Sequence, residues 1–218
     1  MPGRGHSQWL ADPMDYAFPT YLTVLTALIA ASAAETVSFV GTSMGGLLGM
    51  TLAAQPNTPI ARLVINDVGP VLEPAALARI GTYLGNDPAF DSYEAIEAHV
   101  RAICAPFGPL TDAQWGHLTR TSVRRDGQGQ WRFNYDPGIA VPFRGDAAVP
   151  PLWPLWDAIT CPTLVLRGAQ SDLLSAATAR QMRLRGPRAT VLEVPGVGHA
   201  PALLDATQVA PVVEFLRR

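Results

Sequence analysis

A serine at position 43 lies at the centre of the pentapeptide Gly-Thr-Ser-Met-Gly. The apolar residues before it, 37–40, predict a buried strand, and residues 44–55 predict a helix. A serine on a sharp turn between a strand and a helix projects its hydroxyl group out of the fold, where it can attack a substrate carbonyl. Ser43 is therefore a candidate nucleophile.

Two glycines flank this serine, Gly41 and Gly45. A turn this sharp favours glycine, which lacks the Cβ atom that would crowd it. We expect both glycines to be required, because a Cβ at either position would collide with the neighbouring strand or helix.

A serine hydroxyl is a weak nucleophile at neutral pH, so it needs a histidine as general base and an acid that orients the histidine. Of the four histidines in the chain, His199 is the best candidate. It lies in a glycine-rich loop, residues 195–201, directly after a predicted strand, which places it at the carboxyl edge of the sheet beside Ser43. Solvent exposure or core packing explains the other three, His6, His99 and His117.

Two aspartates are candidates for the acid. Asp172 follows a strand predicted at residues 162–167, and it gives the chain order Ser, Asp, His that this arrangement favours. Asp67 follows a strand predicted at residues 60–66 and lies on the same edge of the sheet. Either aspartate could instead cap its own turn through its side chain. We prefer Asp172, because the loop after the penultimate strand directs its acid toward the loop of His199, and Asp67 is the alternative.

The elements that position these residues alternate along the chain. Short apolar segments rich in β-branched residues predict three further strands, at 60–66, 162–167 and 189–194. Helical patterns cover 19–34, 175–184 and 206–216. Strands that alternate with helices predict an α/β fold, a doubly wound, mostly parallel sheet covered on both faces.

A long segment between the strands predicted at 60–66 and 162–167 breaks the alternation. It contains three predicted helices, at 74–84, 92–105 and 111–122, and the last two begin with the capping residues Ser92 and Thr111. We interpret this segment as a helical cap inserted in the core. The predicted division is a core segment 1–71, a cap 72–156 and a second core segment 157–218.

Composition excludes several classes of protein. All 16 basic residues are arginines, and the absence of lysine rules out a Walker-type phosphate site and Schiff-base chemistry. The net charge is −2 and the arginines are dispersed, which does not favour nucleic acid. Cys104 and Cys161 lack metal-ligand spacing and indicate free thiols in a reducing compartment. No stretch is long and apolar enough for a membrane span or an export signal, so we expect a cytoplasmic protein that does not bind membranes.

Taken together, the Ser43 pentapeptide, Asp172 and the Gly198-His199 pair resemble the α/β-hydrolase superfamily over nearly the whole chain. Residues 2–7 resemble that family's loop after its fourth strand, and residues 161–168 resemble its strand before the acid. The resemblance implies an eight-stranded sheet, a cap after the sixth strand, and acyl transfer to Ser43 with Asp172 and His199 as partners. It also implies an oxyanion hole in which the backbone N–H of Met44 takes part, and no cofactor or metal.

The sequence departs from this family in one respect. The family has four strands before the position of Met1, and with them a loop that supplies a second oxyanion N–H. Loss of one such donor lowers the rate by about 10²–10³-fold, and residues 37–40 would become an apolar sheet edge. We therefore expect a poor catalyst as the chain stands, and interpret Met1 as an internal methionine of a longer protein. An in-frame stop codon immediately upstream would contradict this interpretation.

The sequence thus predicts a serine hydrolase that cleaves a small ester, thioester or lactone through an acyl-enzyme. Two alternatives remain open. In the first, the same triad catalyses carbon–carbon bond hydrolysis or a cofactor-independent lyase or synthase reaction. In the second, the chain is a catalytically impaired fragment that only binds a ligand. The predicted partner is a small acyl substrate, and oligomeric state is not predicted.

Overall fold

The structure is a computed structural model that describes residues 1–144 and 150–218. Its main elements follow one another in the order α1 (Phe18–Ala31), β1 (Val37–Thr42), α2 (Met44–Ala53), β2 (Ile60–Asn66), α3 (Pro74–Gly81), α4 (Tyr93–Ile103), α5 (Asp112–Ser122), β3 (Val123–Arg125), β4 (Trp131–Phe133), α6 (Trp153–Ala158), β5 (Thr163–Gly168), α7 (Ala176–Met182), β6 (Thr190–Val194) and α8 (Ala206–Arg217). Three short 3₁₀ segments, Pro13–Asp15, Ala105–Phe107 and Pro137–Phe143, complete the described secondary structure.

The chain forms two compact units. Unit 1 contains Met1–Val24, Ala78–Ala105 and the described residues of Pro109–Asp146. Unit 2 contains Leu25–Leu77, Pro106–Gly108 and the described residues of Ala147–Arg218. The predicted division into 1–71, 72–156 and 157–218 stays a prediction, and residues 145–149 of the predicted cap lie outside the described residues.

Unit 2 is built around a parallel sheet with the strand order β1-β2-β5-β6. The apolar, β-branched residues of β2 and β5 explain why these two strands are central: five of the seven β2 residues and all six of β5 are buried. Helices follow β1, β5 and β6 along the chain, as the alternating pattern predicts. The prediction of an α/β fold with a parallel sheet is confirmed.

Strand β1 occupies one edge of this sheet, because it pairs with β2 alone among the described strands. Its burial alternates, with Ser38, Val40 and Thr42 exposed and Gly41 buried. Val40 is 43% exposed although it is apolar. The expected apolar sheet edge at residues 37–40 is thus present in the structure.

Unit 1 contains the helices α4 and α5 and a short antiparallel hairpin, β3 and β4. The side chains of Ser92 and Thr111 accept hydrogen bonds from backbone N–H groups in the first turns of α4 and α5, so both predicted caps are present. Sequence analysis missed the hairpin. Its strands have three residues each and carry arginine, so they show little apolar alternation.

Among the residues that the structure describes, no helix is both long enough and apolar enough to span a bilayer.

Candidate active site

Ser43 stands at the junction of β1 and α2, where the backbone is held in an unusual conformation. Its φ angle is 51° and its ψ angle is −119°, a combination that residues other than glycine seldom adopt. Its N–H donates to the carbonyl of Asn66 at 3.0 Å, which ties the turn to β2. Ser43 occupies the N-cap position of α2, yet its side chain makes no capping hydrogen bond. The hydroxyl is therefore available for another partner.

The two glycines of the pentapeptide differ in their surroundings. A Cβ on Gly41 would lie 2.3 Å from the carbonyl oxygen of Gly45, a backbone atom that cannot move aside independently. A Cβ on Gly45 would meet no atom within 4 Å. The expected need for glycine is thus confirmed at Gly41 and wrong at Gly45, because the close approach involves only the strand side of the turn.

His199 lies in the loop after β6 and is 8% exposed. Its Nε2 atom is 2.9 Å from Ser43 Oγ, and its Nδ1 atom is 2.9 Å from Asp67 Oδ2. Backbone hydrogen bonds hold the loop before it, since Gly198 N–H donates to the Pro106 carbonyl and Gln170 N–H to the Val197 carbonyl. The structure therefore brings the predicted nucleophile and the predicted base together.

Asp67 immediately follows β2 and has a φ angle of 57°, so the chain turns sharply where the strand ends. Its side chain is completely buried. Besides His199, it accepts hydrogen bonds from Ser171 Oγ at 2.7 Å and from Gly168 N–H at 2.8 Å. Buried carboxylates require such partners, and the three donors hold this one in a single orientation.

Gly168, at the end of β5, allows the loop of His199 to approach this carboxylate. A Cβ on Gly168 would lie 2.3 Å from the carbonyl oxygen of Gly198 and 2.6 Å from that of Val197. Any larger residue would displace the histidine loop, so the backbone at Gly168 both binds Asp67 and makes room for His199.

The preference for Asp172 as the orienting acid is corrected by these contacts. The carboxylate at His199 Nδ1 belongs to Asp67, the alternative from the sequence, whereas Asp172 is exposed. Strand order alone does not explain the choice, because β5, which precedes Asp172, is the neighbour of β6, which precedes His199. The glycine at position 168 lets the loop of His199 lie close against the end of β5. There the Gly168 N–H and Ser171 Oγ hold the Asp67 carboxylate in place for His199.

The direction of the hydrogen bonds follows from the chemistry of the groups. An ionised carboxylate can only accept, so Nδ1 of His199 carries the hydrogen in this contact. In a neutral imidazole the other nitrogen then has a free lone pair. Nε2 can accept the hydroxyl hydrogen of Ser43, which is the arrangement that general-base activation of a serine requires.

The N-terminus of α2 lies next to Ser43. Met44 is the first residue of this helix, and the first N–H groups of a helix have no acceptor within the helix. Such groups favour negative charge nearby. In the part of the chain that the structure describes, no group of three or more His, Cys, Asp or Glu side chains is arranged to hold a metal ion.

Sequence analysis missed Asn66 and Ser171 as parts of this site. Ser171 lies one residue before the preferred aspartate, in a loop that was correctly placed at the carboxyl edge of the sheet. Asn66 is the last residue of β2, and a polar residue directly after the apolar residues 63–65 of a central strand was the signal that could have identified it.

Comparisons with known proteins agree on one family. The sequence profile described as "Alpha/beta hydrolase family" matches residues 1–212. A 3-hydroxybutyrate-oligomer hydrolase from Cupriavidus necator is 44% identical over 226 residues, which cover 98% of this chain and 76% of that protein. An esterase from Mycobacterium tuberculosis is 28% identical over 195 residues, covering 85% of this chain and 61% of that protein.

A solved structure is also similar. The crystal structure of an alpha/beta hydrolase from Novosphingobium aromaticivorans superimposes with a TM-score of 0.90 at 38% identity, and the match covers 100% of this chain and 78% of that one.

Proposed function

This chain belongs to the alpha/beta hydrolase family, and from its contacts at Ser43 we propose that it hydrolyses a small ester through an acyl-enzyme. The observation that carries the proposal is the chain of two hydrogen bonds from Ser43 through His199 to Asp67, each 2.9 Å long. A relative at 44% identity is a named hydrolase, so the general class of reaction is hydrolysis. The serine mechanism and the substrate are the proposal.

In the proposed reaction, Ser43 Oγ attacks the carbonyl carbon while His199 Nε2 takes the hydroxyl proton. The resulting imidazolium faces the buried Asp67 carboxylate, which stabilises its charge. We assign the Met44 N–H as a donor to the oxyanion, because it stands at the N-terminus of α2 next to Ser43. His199 then returns its proton to the leaving alcohol, which departs.

The second half of the reaction reuses the same groups. Water enters, His199 takes one of its protons, and the hydroxide attacks the acyl carbon. Collapse of the second tetrahedral intermediate releases the acid and returns the proton to Ser43 Oγ. The atoms balance, as ester plus water gives acid plus alcohol.

Short esters of 3-hydroxyacids are the first substrates to try. The support for them is the 3-hydroxybutyrate-oligomer hydrolase, whose similarity extends over 98% of this chain. The name of the M. tuberculosis relative supports an ester more generally. Thioesters, lactones and carbon–carbon bonds belong in the same panel, because the same triad can act on each. The two free cysteines favour a reducing compartment for the protein.

The test is labelling by an alkyl fluorophosphonate, since phosphonylation requires an activated Ser43 and no particular substrate. We expect stoichiometric labelling of the wild-type chain and none of Ser43→Ala or His199→Ala. Ester hydrolysis should be lost in the same variants. A folded wild-type chain that is neither labelled nor active would contradict the proposal and favour a protein that only binds its ligand.

A further inference from the structure

Asn66 touches both loops that carry the proposed nucleophile and base. Its side-chain Nδ2 donates to Thr42 Oγ1 at 3.1 Å and to the Pro201 carbonyl at 2.8 Å. Thr42 directly precedes Ser43, and Pro201 follows His199 by two residues. One amide group therefore links the turn of Ser43 to the loop of His199.

The backbone of Asn66 adds a third connection. Its carbonyl accepts the N–H of Ser43 at 3.0 Å, and Thr42 and Asn66 are partners in the register of β1 and β2. The next residue is Asp67, which binds His199. The two residues at the end of β2 are thus in contact with both catalytic loops.

The orientation of the amide is determined by its partners. The Pro201 carbonyl can only accept, so the nitrogen of the amide has to face it. A flipped amide would place two acceptors against each other. The oxygen, Oδ1, has no hydrogen-bond partner among the described residues, and the side chain is completely buried.

A buried amide with an unpaired oxygen destabilises the folded state. A leucine, which has the same branched shape, would avoid this destabilisation at the end of a mostly apolar strand. Asn66 is therefore a poor choice for stability alone, and its two donated hydrogen bonds are what distinguish it from an apolar residue.

We propose that Asn66 is a positioning residue, which fixes the distance between Ser43 Oγ and His199 Nε2 by holding Thr42 and Pro201 on one amide group. The inference deepens the proposed function and rests on it. Hydrogen-bond contact between a nucleophile and its base depends on placement within a few tenths of an ångström, and a displacement of 1 Å can cost about 10²-fold in rate. Asn66 acts on the reaction only through the two loops.

The first experiment replaces the amide with an apolar side chain of the same branched shape. In Asn66→Leu we expect the rate constant of fluorophosphonate labelling, and kcat for an ester, to fall about 10- to 100-fold. The KM should stay within about twofold, because Asn66 is buried and does not reach substrate. A folded Asn66→Leu protein that is labelled at the wild-type rate would overturn the inference.

Thr42 provides a second test that does not disturb the core, since its side chain is exposed on β1. Thr42→Val keeps the shape but removes the acceptor, and we expect a several-fold loss of labelling rate. Thr42→Ser keeps the hydroxyl group and should restore the rate. Equal rates in the two variants would contradict a role for the Asn66–Thr42 contact.

Thr163→Val is the matched control. Thr163 is 3% exposed, and its hydroxyl donates to the Cys161 carbonyl at 3.1 Å, at the opposite end of the sheet from Ser43. Its loss should lower the unfolding free energy while leaving the labelling rate of the folded protein unchanged. A fall in labelling rate as large as that of Asn66→Leu would show that general destabilisation explains both.

A spectroscopic measurement keeps the test separate from the proposed function. In the wild-type protein we expect a downfield proton resonance from His199 Nδ1, which should broaden in Asn66→Leu and persist in Thr163→Val. If the wild-type chain is not labelled, the proposed function fails, and this resonance still decides whether Asn66 positions His199. An unchanged resonance in Asn66→Leu would refute the inference.

Discussion

Asp67 and Asp172 differ in burial as well as in position. Asp67 is completely buried and binds His199, Ser171 and Gly168, whereas Asp172 is exposed. A buried acid holds the imidazole in one tautomer because neither group can rotate into water. The assignment of the acid can be tested by removing one charge at a time.

We expect Asp67→Asn to lower kcat by about 10²–10⁴-fold, because an amide at this position no longer selects the tautomer that leaves Nε2 free. Asp172→Asn should stay within about threefold of the wild-type value if its role is not catalytic. Ester hydrolysis and labelling rates measure both. The opposite ranking of the two variants would restore Asp172 as the acid.

The flanking glycines give a second comparison of neighbouring residues. Gly41→Ala should lower the unfolding free energy by about 1–3 kcal/mol, because its Cβ meets the carbonyl of Gly45 at 2.3 Å. Gly45→Ala should raise the unfolding free energy by up to about 1 kcal/mol, since alanine is the better residue in the helix α2. Urea unfolding of the two variants is the measurement. Equal destabilisation by both would mean that Gly45 is crowded after all.

At the scale of the elements, β1 is an edge strand of the parallel sheet, as β6 is. It carries the turn of Ser43 and pairs with β2 alone among the described strands. Its outward side chains include Val40, which is 43% exposed. Unpaired backbone groups beside exposed apolar side chains favour pairing with other chains.

In a chain of residues 1–218, Val40→Lys is therefore expected to reduce aggregation without changing the labelling of Ser43. A lysine on an exposed edge strand opposes edge-to-edge pairing by charge repulsion. Light scattering during concentration and the labelling rate are the two measurements, with Ser38→Lys on the same exposed face as a comparison. Unchanged aggregation in both variants would indicate that β1 is not the associating edge.

At the scale of the whole molecule, the two cysteines report on the two units separately. Cys104 lies in unit 1 and Cys161 in unit 2, and both are free thiols. Burial raises the pKa of the Cys104 thiol to about 11 and also raises the pKa of Cys161. Since the thiolate is the reactive form, both should react slowly in the folded protein.

We expect iodoacetamide at pH 8 to modify neither thiol quickly without denaturant. As urea is added, Cys104 should lose protection before Cys161, because Cys161 is 9% exposed beside the parallel sheet and Cys104 is more exposed. Mass spectrometry of the alkylated peptides measures both. Rapid alkylation of native Cys104 would contradict the raised pKa of its thiol. Modification of Cys161 before Cys104 as urea is added would contradict the expected order of protection.

The same distinction of scale explains which features of the fold were predictable. The strand Ile60–Asn66 and the N-caps of α4 and α5 depend on neighbouring residues, so local patterns predicted them. The hairpin of β3 and β4 depends on contacts with residues far away in the chain, such as that of Trp131 with Tyr93 of α4. Its three-residue strands carry too little alternation to be recognised alone.

For the candidate active site, the amino-acid sequence predicted Ser43 and His199, which the structure brings within 2.9 Å of each other, because a sharp glycine turn and a glycine-rich loop are local features. It left two aspartates at the same edge of the sheet, and it did not mark Asn66. Only the tertiary structure decided between Asp67 and Asp172, since the close approach of the His199 loop to Gly168 brings His199 to the buried Asp67. Such distances between loops depend on contacts between residues far apart in the chain, which no local pattern records.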